Sequence, residues 1–262
     1  MRILFVGDIV GKGGRRAVAE LVPQLRREFG CGLVVANGEN MAGGGGMNGK
    51  CIRSITPAPA VDVVTGGDHM WDQKDFVQEI DHFPWVLRPA NVYAGQPGRG
   101  FGLFKTEEKV EVAVISLLGR TFLNNQADCP FAAADRILAE IGGQSPVVVV
   151  DFHAEATSEK IAMGRYLDGR ATAVFGTHTH VATADEQVLP GGTAFQCDVG
   201  MVGARDSILG RAIAPVLQRF STGMPARFDV VNQGISLHGT VVECDPASGR
   251  ARQVWRVARD FD

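Results

Sequence analysis

Five short segments of this chain set metal-capable side chains directly after an apolar run: Gly7-Asp8, Gly38-Glu39-Asn40, Gly66 to His69, Asp151 to Glu155, and Gly176 to His180. Carboxylate, carboxamide and imidazole in one set suit borderline divalent ions such as Mn, Fe, Zn or Co, whereas an all-oxygen set would favour Mg or Ca. Asp8, Glu39, Asn40, Asp68, His153, His178 and His180 outnumber the four ligands that a lone structural zinc takes. Two metals sharing a bridging carboxylate are therefore expected, with Glu39 the candidate bridge. His178 and His180 flank Thr179, and on an extended segment residues two apart project the same way, so both rings are expected to face one site. Glycine ahead of a ligand lets the backbone turn sharply and keeps the pocket clear of a side chain. A lone histidine is usually a core or surface residue, and His82 and His238, outside any such cluster, are read that way. The other four of the six histidines fall in three strand-end clusters.

These clusters need elements that bring them together. RILFVGDIV, RRAVAELVPQLRREF, GLVVANGEN, a short helical stretch and VDVVTGGDHMW read as βαβαβ. VEVAVISLLG, PVVVVDFHAE and TAVFGTHTH are continuously apolar, as strands buried on both faces tend to be. In an open α/β sheet the carboxyl ends of the strands line one edge, where ligands bind, so clusters distant in sequence converge there. After about residue 185 the strand-like pieces ADEQVLP, TAFQCDVG, ISLHGTVVECD and ARQVWRVARDF predict a second, mostly antiparallel sheet packed on the first. The glycine-rich stretch at residues 42 to 49 is expected to be a loop. GDIVGKGG lacks the spacing and the hydroxyl of a nucleotide P-loop, and no G-x-G-x-x-G follows the first strand.

A chain of 262 residues can bury a full core, and residues 1–262 are expected to form one domain. A net charge of −3 with both signs interspersed offers no basic stripe, which disfavours polymeric nucleic acid and leaves a small phosphorylated molecule compatible. The N-terminal apolar run is broken by Gly7 and Asp8, and nothing reaches the roughly 18 to 20 apolar residues of a membrane span. A soluble, cytoplasmic protein without a membrane partner is expected. Five scattered cysteines with no C-x-x-C pair predict reduced, mostly buried thiols.

In the order GD, GEN, GGDH, DFHAEATSEK and GTHTHV, the chain resembles the calcineurin-like metallophosphoesterases, and within them the bacterial YmdB-type branch. The likeness runs from Arg2 into the last third, and DFHAEATSEK and GEN are specific to that branch. The resemblance implies an α/β fold, a four-layer α/β/β/α sandwich of two sheets flanked by helices. It implies hydrolysis of small phosphodiesters, with 2′,3′-cyclic AMP the characteristic substrate, by two divalent transition metal ions, Fe or Mn. Asp8, Asn40 and His180 would hold one ion and Asp68, His153 and His178 the other, with Glu39 between and His69 the proton donor. The ions would activate a water for in-line attack on phosphorus while His69 protonates the departing ribose oxygen. A homo-oligomer is also implied. At Asp68 the chain departs from the family motif, which reads G-N-H. Two other readings stand beside this one: a phosphomonoesterase using the same metals, and a non-catalytic regulator that binds metal and nucleotide.

Overall fold

The N-terminal apolar run forms β1 (Arg2–Val6), in which Ile3, Leu4, Phe5 and Val6 are all inaccessible to solvent. In this computed structural model, which describes residues 1–56, 60–124 and 126–262, the chain continues through β2 (Asp8–Ile9), α1 (Gly11–Phe29), β3 (Cys31–Asn37), α2 (Gly49–Arg53), β4 (Val63–Thr65), α3 (Phe76–Glu79) and β5 (Val86–Leu87). The middle of the chain supplies β6 (Phe101–Lys105), β7 (Glu111–Leu118), α4 (Pro130–Ile141), β8 (Val147–His153), α5 (Thr157–Tyr166) and β9 (Ala173–Thr177). The last third supplies β10 (Gln187–Val188), β11 (Ala194–Gln196), β12 (Met201–Ala204), α6 (Ile213–Thr222), β13 (Ile235–Cys244) and β14 (Ala251–Phe261).

Two mixed sheets result. In the first, β1, β3, β4 and β5 pair in parallel, and β13 joins β1 antiparallel. β12 continues along the same edge of β13, and β14 covers its other edge. In the second, β7, β8, β9 and β11 are parallel, with β6 and β10 antiparallel at the two borders.

This partition corrects the sequence expectation. The apolar runs of β7, β8 and β9 belong to the second sheet, whereas the late strands β13 and β14 complete the first. A continuous apolar run shows only that both faces of a strand are buried, and a strand of either sheet satisfies that. The second sheet is accordingly parallel at its centre. α6 also interrupts the strand-like pieces expected after about residue 185; Val216 is its one buried residue, and Ile213, Leu217 and Phe220 at the same helical spacing are exposed.

Three apolar clusters hold these parts. Ala17, Val18, Val22 and Leu25 of α1 pack on Val34 and Ala36 of β3. Ala133, Ala134 and Ile137 of α4 and Met163 of α5 pack on Val148, Val150 and Phe152 of β8. Between the sheets, Ile3 and Phe5 face Val149 and Phe175, and the two phenylalanine rings lie 5.4 Å apart. α1 ends at Gly30, whose φ of 63° places it in the left-handed region and lets its N–H reach the Arg26 and Arg27 carbonyls. Residues 42–48 are a loop, as expected, and Gly49 opens α2. Among the described residues no helix is long and apolar enough to cross a membrane. All five cysteines are free thiols, and burial pushes Cys31 and Cys244 up to about 11.

Strand ends from both sheets meet at one edge. Asn37 closes β3, His153 closes β8 and Thr177 closes β9, while Asp8 opens β2 just past the end of β1.

Candidate metal centre

All seven metal-capable residues singled out in the sequence converge at this edge, in two groups joined by one carboxylate. In the first group His153 Nε2 lies 3.0 Å from Asp68 Oδ1 and 3.0 Å from His178 Nδ1, and His178 Nδ1 lies 3.3 Å from Asp68 Oδ1. In the second, His180 Nε2 lies 3.3 Å from the Asn40 amide nitrogen and 3.8 Å from Asp8 Oδ1. Glu39 spans them: Oε2 is 3.2 Å from His153 Nε2, and Oε1 accepts from the Asn40 amide at 2.9 Å. The amide of asparagine is nearly isosteric end for end, so a half-turn offers its oxygen at the same place.

The donor atoms fit a cation. Ligands about 2.1 Å from a metal at right angles to one another stand about 3.0 Å apart, as several of these nitrogens and oxygens do. One donor atom each from Glu39, Asp68, His153 and His178 falls within 4.8 Å of all the others. Asp8 is fully buried, and its Oδ1 has no hydrogen-bond partner among the described residues. A buried carboxylate oxygen without a partner is costly unless it coordinates a cation.

The electrostatics agree. Burial drives the Asp8 carboxyl well above its ordinary range. At His153 burial disfavours charge, yet Glu39, Asp68 and Asp8 outweigh it and raise the ring well above the usual histidine value. Burial likewise works against ionised Asp68, and the His153 and His178 rings overcome it and hold that carboxyl far down. The field of these carboxylates therefore favours positive charge at the centre. His180 is pushed down to about 4 by burial, which keeps its ring neutral and its lone pair available.

The two histidines of the fifth cluster are not on an extended segment. β9 stops at Thr177, and His178 and His180 have φ of 94° and 62°, a left-handed conformation rare outside glycine. Both rings still reach the site, but one joins each group. Non-glycine residues held this way are strained by about 1–3 kcal/mol and persist where the surroundings over-determine them. Here the Asp198 carboxylate accepts the Thr179 backbone N–H at 3.1 Å and its hydroxyl at 2.6 Å, and Lys160 donates to the same oxygen at 2.8 Å.

Lys160 and Asp198 were not among the sequence candidates. Neither were Asn37, Asp151 and Thr177, which support His153: its Nδ1 lies 2.9 Å from the Thr177 hydroxyl, which donates to Asp151 Oδ1 at 2.7 Å. Asn37 donates to Asp151 Oδ2 at 3.0 Å, and the Thr65 hydroxyl donates there as well. This arrangement suits a proton on Nδ1 and leaves Nε2 free to act as a ligand. Their placement inside or beside the flagged DFHAE, GEN and GTHTH segments is the one signal that could have found Asp151, Asn37 and Thr177.

His69 stands apart from the seven. Its side chain is 44% exposed, Nδ1 is 2.8 Å from Asp72 Oδ2, and Nε2 is 3.8 Å from Asp68 Oδ2. Burial lowers its proton affinity, but Glu39, Asp68 and Asp72 more than offset this and raise it. Carboxylates that favour the protonated ring, at a half-exposed position at the mouth of the site, suit His69 to giving a proton. Gly67 makes room for the cluster, because a Cβ there would lie 2.3 Å from Glu39 Oε2 and 2.4 Å from His153 Nε2. His82 lies in a single helical turn away from the site, and His238 sits on β13.

Two facing sheets of this kind occur in a solved calcineurin-like phosphoesterase. That structure, YfkN of Bacillus subtilis, shares the fold with a TM-score of 0.54 at 12% identity, over 99% of this chain and 90% of that one. Residues 4–257 match the family described as YmdB-like protein. The chain is 46% identical over 262 residues, 100% of its own length and 98% of the relative's, to the 2′,3′-cyclic-nucleotide 2′-phosphodiesterase of Bacillus subtilis (strain 168). A crystal structure of a novel phosphatase from Mycoplasma pneumoniae superposes with a TM-score of 0.92 at 30% identity, covering 99% of this chain and 93% of that one. The chain belongs to the YmdB-like family.

Proposed function

We propose that this protein is a two-metal phosphodiesterase that hydrolyses small phosphodiesters, 2′,3′-cyclic nucleotides in particular. The observation that carries this reading is Glu39, whose two oxygens reach separate groups of metal-capable residues. Asp8, Asn40 and His180 would hold one ion, Asp68, His153 and His178 the other, with Glu39 shared. The mixed donor set favours Mn or Fe over Mg. Such ions, when bound, supply Lewis acidity toward phosphoryl oxygens and acidify a water toward neutral pH.

The remaining chemistry belongs to the chain. Asp72 fixes the His69 ring through Nδ1, and Nε2 is left to protonate the departing ribose oxygen. Asp151, through Thr177, holds His153 in the tautomer that presents Nε2. Asp198 and Lys160 hold Thr179 and with it the turn bearing His178 and His180.

The same reading takes residues 1–262 as one domain. The succession of apolar clusters, helix on sheet, sheet on sheet and sheet on helix, supports a four-layer α/β/β/α order. Free, buried cysteines are consistent with a reducing, cytoplasmic setting.

The test is hydrolysis of 2′,3′-cyclic AMP and of AMP by the same preparation, before and after chelation and on return of Mn. The proposal requires turnover of the cyclic diester, its loss on chelation and its recovery with Mn. Turnover of AMP alone would replace it with a phosphomonoesterase.

A further inference from the structure

Beside the metal centre lies a cavity of about 240 Å³ with two unlike walls. One carries His69, His180 and their neighbours; the other is mainly apolar, made by Ile208, Leu209, Val216, Phe220 and Phe228, with Arg211 among them. The apolar wall is built against local preference. Ile208 and Arg211 exchange backbone hydrogen bonds of 2.9 and 3.0 Å, so Leu209 and Gly210 are the two central residues of a tight hairpin. Both have positive φ, 52° and 86°. That pattern belongs to a type I′ turn, whose first central position ordinarily takes asparagine, aspartate or glycine. Leucine there is strained, and its side chain remains 45% exposed at the cavity. On the next element, Phe220 is 77% exposed and contributes almost nothing to the core. Two large apolar side chains, one of them in an unfavourable backbone conformation, thus line the cavity without being buried in the core.

We propose that this wall is the seat of the substrate's base, with Leu209 and Phe220 the residues that distinguish a nucleotide from a phosphodiester lacking a base. The proposal rests on the phosphodiesterase reading above. The chemistry that fits is a planar heterocycle stacked on phenylalanine with its phosphate at the metal centre, and the cavity, smaller than the roughly 300–1,000 Å³ of sites for drug-sized ligands, suits one base. A second cavity of about 370 Å³ touches Gly67 and Asp68 and contains Trp71 and Tyr93. It does not include His69. The nucleoside must lie on the side of the proton donor, because the oxygen that His69 protonates belongs to the ribose. That places the base on the Leu209 side.

The experiment compares kcat/KM for 2′,3′-cyclic AMP with that for ethylene phosphate, a five-membered cyclic phosphodiester without a base, in the parent, Leu209→Asn, Phe220→Ala and Tyr93→Ala. Stacking on one aromatic side chain is worth roughly 5- to 100-fold, so the preference for the nucleotide falls by about that much in Phe220→Ala, falls also in Leu209→Asn through loss of apolar contact, and holds in Tyr93→Ala. Leu209→Asn also raises the unfolding midpoint, since asparagine tolerates the left-handed turn position. An unchanged preference in the Leu209 and Phe220 variants, or its loss only in Tyr93→Ala, overturns the proposal. If the parent hydrolyses neither diester, the phosphodiesterase reading fails separately. Calorimetric binding of adenosine then decides: weakening by the same two substitutions upholds the base site, and equal affinity removes it.

Discussion

The Lys160 ammonium and the Asp198 carboxylate meet at 2.8 Å with both side chains 1% exposed, and Asp198 holds Thr179 between the two strained histidines. Removing one member of a buried pair leaves the other charge uncompensated, which costs about 3–5 kcal/mol. Lys160→Met is therefore expected to lose that much in urea unfolding, and Lys160→Met with Asp198→Asn to recover part of it. If the single variant unfolds like the parent, the pair is not what secures the turn.

Gly67→Ala adds a Cβ only 2.3 Å from Glu39 Oε2, with the His153 ring as close. Both are fully buried, His153 at the end of β8 and Glu39 in the turn after β3, and cannot yield cheaply. The expected outcome is loss of bound metal, read by elemental analysis, in a protein whose circular dichroism keeps its helical and strand content. Full metal content would show that the cluster can expand around the new methyl group.

Because Asp72, and not a metal group, holds the His69 ring, His69→Ala is expected to keep its metals. General-acid catalysis contributes about 10²- to 10⁴-fold, and it matters most when the leaving group is poor. A loss of that size on a cyclic nucleotide, with a much smaller loss on a nitrophenyl ester, is the signature. Equal losses on both substrates would assign His69 another task.

At Asp68 the carboxylate sits against His153 and His178, at the position where the resemblance implies asparagine. Asp68→Asn removes one negative charge from the ligand set, which should loosen the metal held there while favouring an anionic phosphate. It also supplies an amide donor, and one preorganised donor to a developing charge is worth on the order of 10²-fold. At saturating Mn the variant is expected to turn over faster than the parent and to need more Mn to do so. A variant no faster would show that the pocket is adapted to the carboxylate.

The site was far more legible in the sequence than the fold around it. Ligand chemistry is local: Asp8, Glu39 with Asn40, Asp68, His153 and the His178/His180 pair each sit in a short segment that names itself by residue type after an apolar run. Sheet membership is not local. β8 and β3 are equally apolar, and only the pairing of β13 with β1 assigns the late strands to the first sheet. Asp198 and Lys160 meet across 38 positions, and although Lys160 ends the DFHAEATSEK segment, nothing local tells a buried lysine on a helix from a solvated one. In α6, Ile213, Val216, Leu217 and Phe220 do recur at helical spacing; what the sequence does not carry is that only Val216 of the four is buried.

The central claim is that one carboxylate, Glu39, joins two metal sites, and anomalous scattering from crystals grown with Mn tests it most directly. Two anomalous peaks are expected, one among Asp8, Asn40 and His180 and one among Asp68, His153 and His178, with Glu39 reaching both. A single peak, or none at this edge of the sheets, would contradict the account.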